Sequence, residues 1–203
     1  MTAGALQAAF DARPIVDAVG GTLLATALQW AARNGHLQTI DLLLQLGANP
    51  RLLDDNGFSC LHSVTQSPIY WALLYVLCRS EMEIDERDNM GYTALHWAVY
   101  RCDAASTEIL LKLGADPNVV GGDGLTPLHF AAYTGNKTCI TKLLEAGADI
   151  RAKNGNHRTA QEMASEFRNS ETWNAAVGEL GFKADGSRVR RPLSEVCCCL
   201  GRC

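Results

Sequence analysis

The chain has 203 residues, 47% of them hydrophobic and 20% charged, with a formal net charge of −4. That is enough apolar material for the core of one soluble globular domain, though not of necessity a compact one. The acidic balance argues against a nucleic-acid partner, which would be met by a basic stripe over the folded part.

The first stretch, MTAGALQAAFDARPIVDA, has no basic n-region and carries Asp11 where a signal peptide would be apolar. Met1 to Ala12, GALQAAFDA in particular, is a candidate helix. IVDAVGGTLLA from Ile15 reads as the closing hairpin of a repeat whose two helices are missing. Unless the leading segment covers it, the next unit exposes an apolar face, which is a solubility hazard or a docking surface.

From there the chain repeats itself. TALQ begins at Thr26, SCLH at Ser59, TALH at Thr93, TPLH at Thr126 and TAQE at Thr159, at spacings of 33, 34, 33 and 33. DLLLQLGANP, EILLKLGADPN and TKLLEAGADIRAKN recur behind three of these starts. A T-P-L-H signature with a period of 33 is that of the ankyrin repeat.

Each segment has a physical task. Thr126 suits an N-cap and Pro127 the first helical position, where its missing N–H is not needed. Leu128, Ala131 and Ala132 give a short inner helix one apolar face, narrow enough for close approach of neighbours. Turns such as Asn34 to His36 lead into an outer helix, LQTIDLLLQL, with apolar residues at helical spacing. Gly47, Gly114 and Gly147 stand where a left-handed helix end is wanted. DDNG, DNMG and GGDG have the composition of hairpin tips. GGDG lacks the preceding strand and the GK[ST] of a phosphate loop.

In the second unit Pro68 and the apolar run Ile69 to Cys78 break the pattern, a specificity feature or repeat decay. That run is about half of the roughly 20 residues a membrane-spanning helix needs. The last unit, Thr159 to Gly181, puts Gln161 and Glu162 where Leu and His stand elsewhere, as a polar cap would. The reading is an all-α ankyrin-repeat solenoid of about four full repeats plus a degenerate C-terminal capping repeat. Residues 1–22 form a partial N-terminal repeat or cap, 23–181 the repeat domain, and 182–203 a basic, cysteine-rich flexible tail. Cys60, Cys78, Cys102 and Cys139 are expected as buried, reduced thiols.

A solenoid of this kind points to protein binding. His62, His96 and His129 stand three residues after the motif hydroxyl, where an imidazole bonds that hydroxyl and nearby backbone; His36 lies in a turn. Neither a catalytic constellation, a metal site nor a cofactor site follows from them. Trp30, Ser63, Trp97, Phe130 and Met163 lie four residues after the motif Ser or Thr. With Arg33, Asn34, Gln66, Tyr100, Arg101 and Tyr133 they make an aromatic, arginine-bearing strip on the concave face, of the composition enriched at interface hot spots. The alternative is that these rings pack on neighbouring hairpins, and one ring can do both. Replacing Trp97 and Tyr100 together by alanine is expected to abolish partner binding at little cost to cooperative unfolding.

AVGGTLLATALQWAARNGHLQTIDLLLQLGANP, GFSCLHSVTQSPIYWALLYVL, ILLKLGADPN, GLTPLHFAAYTGN, LLEAGADIRAKN and ELGFKADGSRVRRPLSE together resemble the ankyrin region of the fungal Akr-type DHHC palmitoyltransferases, over roughly Val16 to Glu195. The resemblance implies a role in holding protein substrates or regulators near a membrane-embedded acyltransferase. It also implies Golgi or endosomal membranes with this region facing the cytosol; as written, the chain reads as cytoplasmic. Family members carry further repeats, transmembrane helices and an Asp-His-His-Cys motif, and that motif occurs nowhere in this chain. Acyl transfer is therefore assigned to no residue here. The alternatives are a fragment of a working S-acyltransferase and a lipid-anchored adaptor.

The chain closes on VCCCLGRC. The spacing is poor for zinc, and Leu200 in the fourth position from the end excludes a prenylation box. Cys197, Cys198 and Cys199 are candidates for S-acylation beside Arg188, Arg190 and Arg191. The other reading is an accidental tail left by truncation, an altered reading frame or a mispredicted exon end. Protein partners are expected, with the membrane reached only indirectly, through tail acylation or a missing transmembrane region.

Overall fold

The computed structural model describes residues 16–21, 25–67, 69–79 and 82–181. Within them the motif positions become the starts of inner helices: α1 (Ala27–Asn34), α3 (Cys60–Val64), α5 (Ala94–Tyr100), α7 (Pro127–Thr134) and α9 (Ala160–Glu166). Each is followed by an outer helix: α2 (Leu37–Gln45), α4 (Tyr70–Arg79), α6 (Ala104–Lys112), α8 (Lys137–Glu145) and α10 (Ser170–Glu179). Odd-numbered helices pack on one another in one layer and even-numbered helices in the other. Among the described residues no helix is long and apolar enough to cross a membrane.

The core is built from the repeated positions. The motif leucines Leu28, Leu61, Leu95 and Leu128 are all 1% exposed or less, and Ala32, Ala98, Ala132 and Ala164 are fully covered. Burying one such leucine stabilises by about 1.5–3 kcal/mol, and truncating it to alanine costs about 2–5 kcal/mol because a cavity remains. The small alanines allow the inner helices to lie close, so each repeat borrows its core from its neighbours.

The hairpins that join repeats stack tip on tip. The amide N–H of Asn89 donates to the Asn56 carbonyl at 3.2 Å, Gly122 to Met90 at 2.9 Å, and Gly155 to Asp123 at 2.9 Å. Three tips are folded by one device: Oδ1 of Asp54, Asp88 or Asn154 accepts the N–H groups two and four residues on, at 2.8–3.0 Å. In the fourth repeat the same position is Gly121, because Tyr92 of the preceding hairpin occupies the space; a side chain on Gly121 would run into its ring.

At the N-terminal end β1 (Val19–Gly20) pairs antiparallel with β2 (Ala25–Thr26), the closing hairpin expected for IVDAVGGTLLA. Asp17 holds it to the next loop by accepting the Asn49 N–H at 2.9 Å. Beyond it α2 buries Ile40 and leaves Leu37, Leu42 and the C-cap residue Leu46 exposed, whereas the corresponding α8 buries Cys139, Ile140, Leu143 and Leu144. The candidate helix in Met1 to Ala12 lies outside the described residues. Two of the four internal cysteines depart from expectation: Cys60 and Cys139 are buried, while Cys78 and Cys102 are exposed. Cys102 ends α5 where Gly35 and Gly135 end α1 and α7. Its φ of 60° lies in the left-handed region those glycines occupy, which puts the thiol outside the core.

Candidate protein-binding face

The inner helices are anchored by their caps. Thr26, Ser59, Thr93, Thr126 and Thr159 are N-caps, each in a reciprocal capping box with the residue three positions on. Where that residue is histidine it does more. Nδ1 of His62, His96 and His129 faces the cap hydroxyl at 2.8–3.0 Å and accepts the cap N–H at 3.1–3.3 Å. Nε2 then donates forward to the Tyr92, Leu125 or Arg158 carbonyl at 3.1–3.2 Å. These rings are neutral bolts between repeats. Burial holds all three below the ordinary imidazole pKa, His96 down to about 4.

Gln29 plays the part of histidine in the first repeat. Its Oε1 accepts the Thr26 N–H at 2.7 Å, and Nε2 donates to the Leu52 and Phe58 carbonyls at 2.7 and 2.6 Å. Glu162 in the fifth repeat accepts the Thr159 N–H at 2.7 Å and has no hydrogen to send forward. Gln29 and the three histidines thus hold one repeat to the next, while Glu162 caps its own helix.

The rings form a continuous chain. Phe58 meets Trp97 edge-on at 5.2 Å, Trp97 meets Tyr100 at 5.9 Å, and Tyr100 meets Phe130 at 5.8 Å. Tyr100 lies parallel to Tyr133 at 6.5 Å, and Tyr133 meets Phe167 edge-on at 4.6 Å. Tyr100, Tyr133 and Phe167 remain 45%, 42% and 44% exposed. Two depressions open on either side of Tyr100. One, of about 480 Å³, runs between Phe58, Gln66, Trp97 and Arg101 and the hairpin tips Asp55 and Asn89. The other, of about 310 Å³, is walled by Tyr100, Phe130, Tyr133 and Phe167 over Leu125 and Met163.

The sequence-derived strip is thus brought together from Gln66 onward. Trp30, Arg33 and Asn34 stand apart on α1: Ser63, small and buried, occupies the next repeat's ring position, and Asn34 Nδ2 turns back to the Trp30 carbonyl at 2.8 Å. Trp97 lines the face and also packs on a hairpin, the alternative open for these rings. Its indole N–H donates to Asp88 Oδ2 at 2.9 Å, and Asp88 is the buried residue that folds the third hairpin tip. Tyr100 carries the exposed surface without that second duty. Sequence reasoning missed Phe58 and Tyr92, whose signal was an aromatic residue directly before the cap. It also missed Phe167, one position beyond the equivalent of Tyr100. Burial first, and then Asp123, which accepts from its hydroxyl at 3.1 Å, push the Tyr92 phenol up to about 12. Cys197, Cys198 and Cys199 lie outside the described residues.

Comparison with known proteins agrees with this geometry. The family described as ankyrin repeats matches three times, over residues 28–121, 69–154 and 105–175. Palmitoyltransferase AKR1 of Eremothecium gossypii is 46% identical over 142 residues, 70% of this chain and 20% of that protein. Palmitoyltransferase AKR1 of Lachancea kluyveri is 43% identical over 103 residues, 49% of this chain and 14% of its own length. Palmitoyltransferase Hip14 of Drosophila melanogaster is 38% identical over 106 residues, 52% and 16% respectively. The chain therefore spans about a fifth or less of the curated relatives it matches. It belongs to the ankyrin-repeat family, a family of protein-interaction modules, and its repeats are similar to those of palmitoyltransferases.

Proposed function

We propose that the chain recruits a protein partner through the face formed by the ring chain from Phe58 to Phe167, and that it does so in the service of protein S-acylation. The observation that carries the binding reading is the exposure of Tyr100, Tyr133 and Phe167. The core is closed by leucines and alanines beneath them, so stacking the repeats does not require three half-exposed rings in a row. Aromatic side chains on a rigid scaffold supply large contact area at low entropy cost, which is why they dominate interface energetics.

The link to S-acylation rests on similarity to palmitoyltransferases alone, and acyl transfer is placed on no residue of this chain. Affinity purification with the wild type and with Tyr100→Ala, followed by direct binding measurements on the captured protein, tests the recruiting role. A partner that binds wild type at least about tenfold more tightly than Tyr100→Ala supports it. Equal binding by a Tyr100→Ala protein with unchanged unfolding would remove the face from consideration. A second reading, that the chain is part of a working S-acyltransferase, is favoured by the share of each relative that it matches. Translating the gene beyond the codon for Cys203 in all frames tests it: hydrophobic helices and an Asp-His-His-Cys motif support it, and their absence sinks it.

A further inference from the structure

We propose that this face takes a basic peptide segment, with the aliphatic stem of a lysine or arginine lying in the pocket walled by Tyr100, Phe130, Tyr133 and Phe167 and its charged head turned to Asp123. The inference rests on the protein-binding reading above and assigns the chemistry of the partner.

Three observations carry it. The first is shape and polarity. The pocket holds about 310 Å³, roughly ten times the share of one water, and its floor and walls are rings, Leu125 and Met163. It suits a long apolar stem. The second is continuity with an acidic neighbour. Leu125, Met163 and Phe167 also line an adjoining depression of about 560 Å³ that contains Asp123, Arg158 and Glu166. Arg158 is paired with Glu166, so the cation there is already matched. Asp123 is exposed and makes no ion pair among the described residues. The Tyr92 hydroxyl donates to its Oδ2 at 3.1 Å, which orients the carboxylate, and among the described residues no hydrogen bond is made to Oδ1.

The third is the cost of the alternatives. A purely apolar segment seated across both depressions would strip water from Asp123 without giving it a counter-charge, and an acidic segment would add repulsion. A lysine or arginine meets both surfaces at once. Its stem covers apolar area, its charge reaches the carboxylate, and the faces of the tyrosine rings attract a cation.

The test is selection of random short peptides displayed on phage against the immobilised full chain, followed by fluorescence-polarisation titration of the enriched peptide. The expected consensus holds a lysine or arginine at a fixed position. Its binding should weaken about tenfold in Tyr133→Leu, which keeps apolar bulk but removes the ring face, and about fivefold in Asp123→Asn, which keeps an acceptor for Tyr92. Raising salt should weaken wild type more than Asp123→Asn. Both variants must unfold at the wild-type temperature; if Tyr133→Leu does not, the salt series on wild type and Asp123→Asn decides, equal salt dependence in the two overturning the proposal. A consensus without a basic residue that Tyr133→Leu or Tyr100→Ala still weakens would overturn the basic-segment proposal and leave the binding face standing. A consensus indifferent to Tyr100, Tyr133 and Asp123 would overturn both.

Discussion

Acid should loosen this stack through its histidines, and the first repeat contains the control. His96 is held neutral in the fold: Nδ1 accepts the Thr93 N–H at 3.1 Å, so a proton there would set two donors against each other. Burial is the main cause that lowers its pKa from 6.5 to about 4, with Arg87 adding and the Leu125 carbonyl and Asp88 opposing. The unfolded chain therefore binds a proton that the folded chain refuses. The stabilisation is complete above the unfolded value of 6.5 and is lost as pH falls from there towards 4. Between about pH 7 and pH 5 the loss from this one residue amounts to about 2 kcal/mol, and His62 and His129 add to it in the same direction. Gln29 shows that an amide makes the same backward and forward hydrogen bonds. His96→Gln should lie within about 1 kcal/mol of wild type at about pH 7, and its stability should fall about 2 kcal/mol less on going to about pH 5. Urea unfolding followed by circular dichroism at the two pH values, with unchanged m values, measures the difference. Equal pH dependence in the two proteins would refute the account of His96 as a neutral bolt.

Other positions give independent checks. Cys102→Gly should stabilise by about 0.5–1 kcal/mol in the same assay, because φ of 60° disfavours any side chain and the equivalents in two other repeats are glycine. Iodoacetamide labelling mapped by mass spectrometry should modify Cys78 and Cys102 in the native protein. It should reach Cys60 and Cys139, whose thiols burial pushes up to about 12 and about 11, only on unfolding. Trp97→Phe should cost about 1–2 kcal/mol in thermal unfolding, because Asp88 Oδ2 loses its donor, while Tyr100→Ala should cost less than about 1 kcal/mol.

What could be read from the sequence was whatever recurs. A hydroxyl, a leucine and a histidine at a fixed period announce an N-cap, a core position and a bolt, and the structure puts all three where the period requires. What escaped depends on one neighbour meeting another once. Nothing in HWAVYRC reveals that the indole of Trp97 reaches back nine residues to Asp88, or that Cys102 takes a glycine's conformation. Phe167 was overlooked because the fifth unit departs from the pattern that marked Tyr100 and Tyr133, though it ends beside them.

The exchange between Tyr92 and Gly121 bears on how freely such a protein can be rearranged. Repeats are often treated as interchangeable cassettes, but here the third unit carries a bulky ring and the fourth a matching vacancy. Excising the fourth unit would bring that ring against a unit whose corresponding residue is Asn154, already committed to its own tip. At this joint the order of the two units is thus written into their contact, and separating them would require recutting both sides of that one seam.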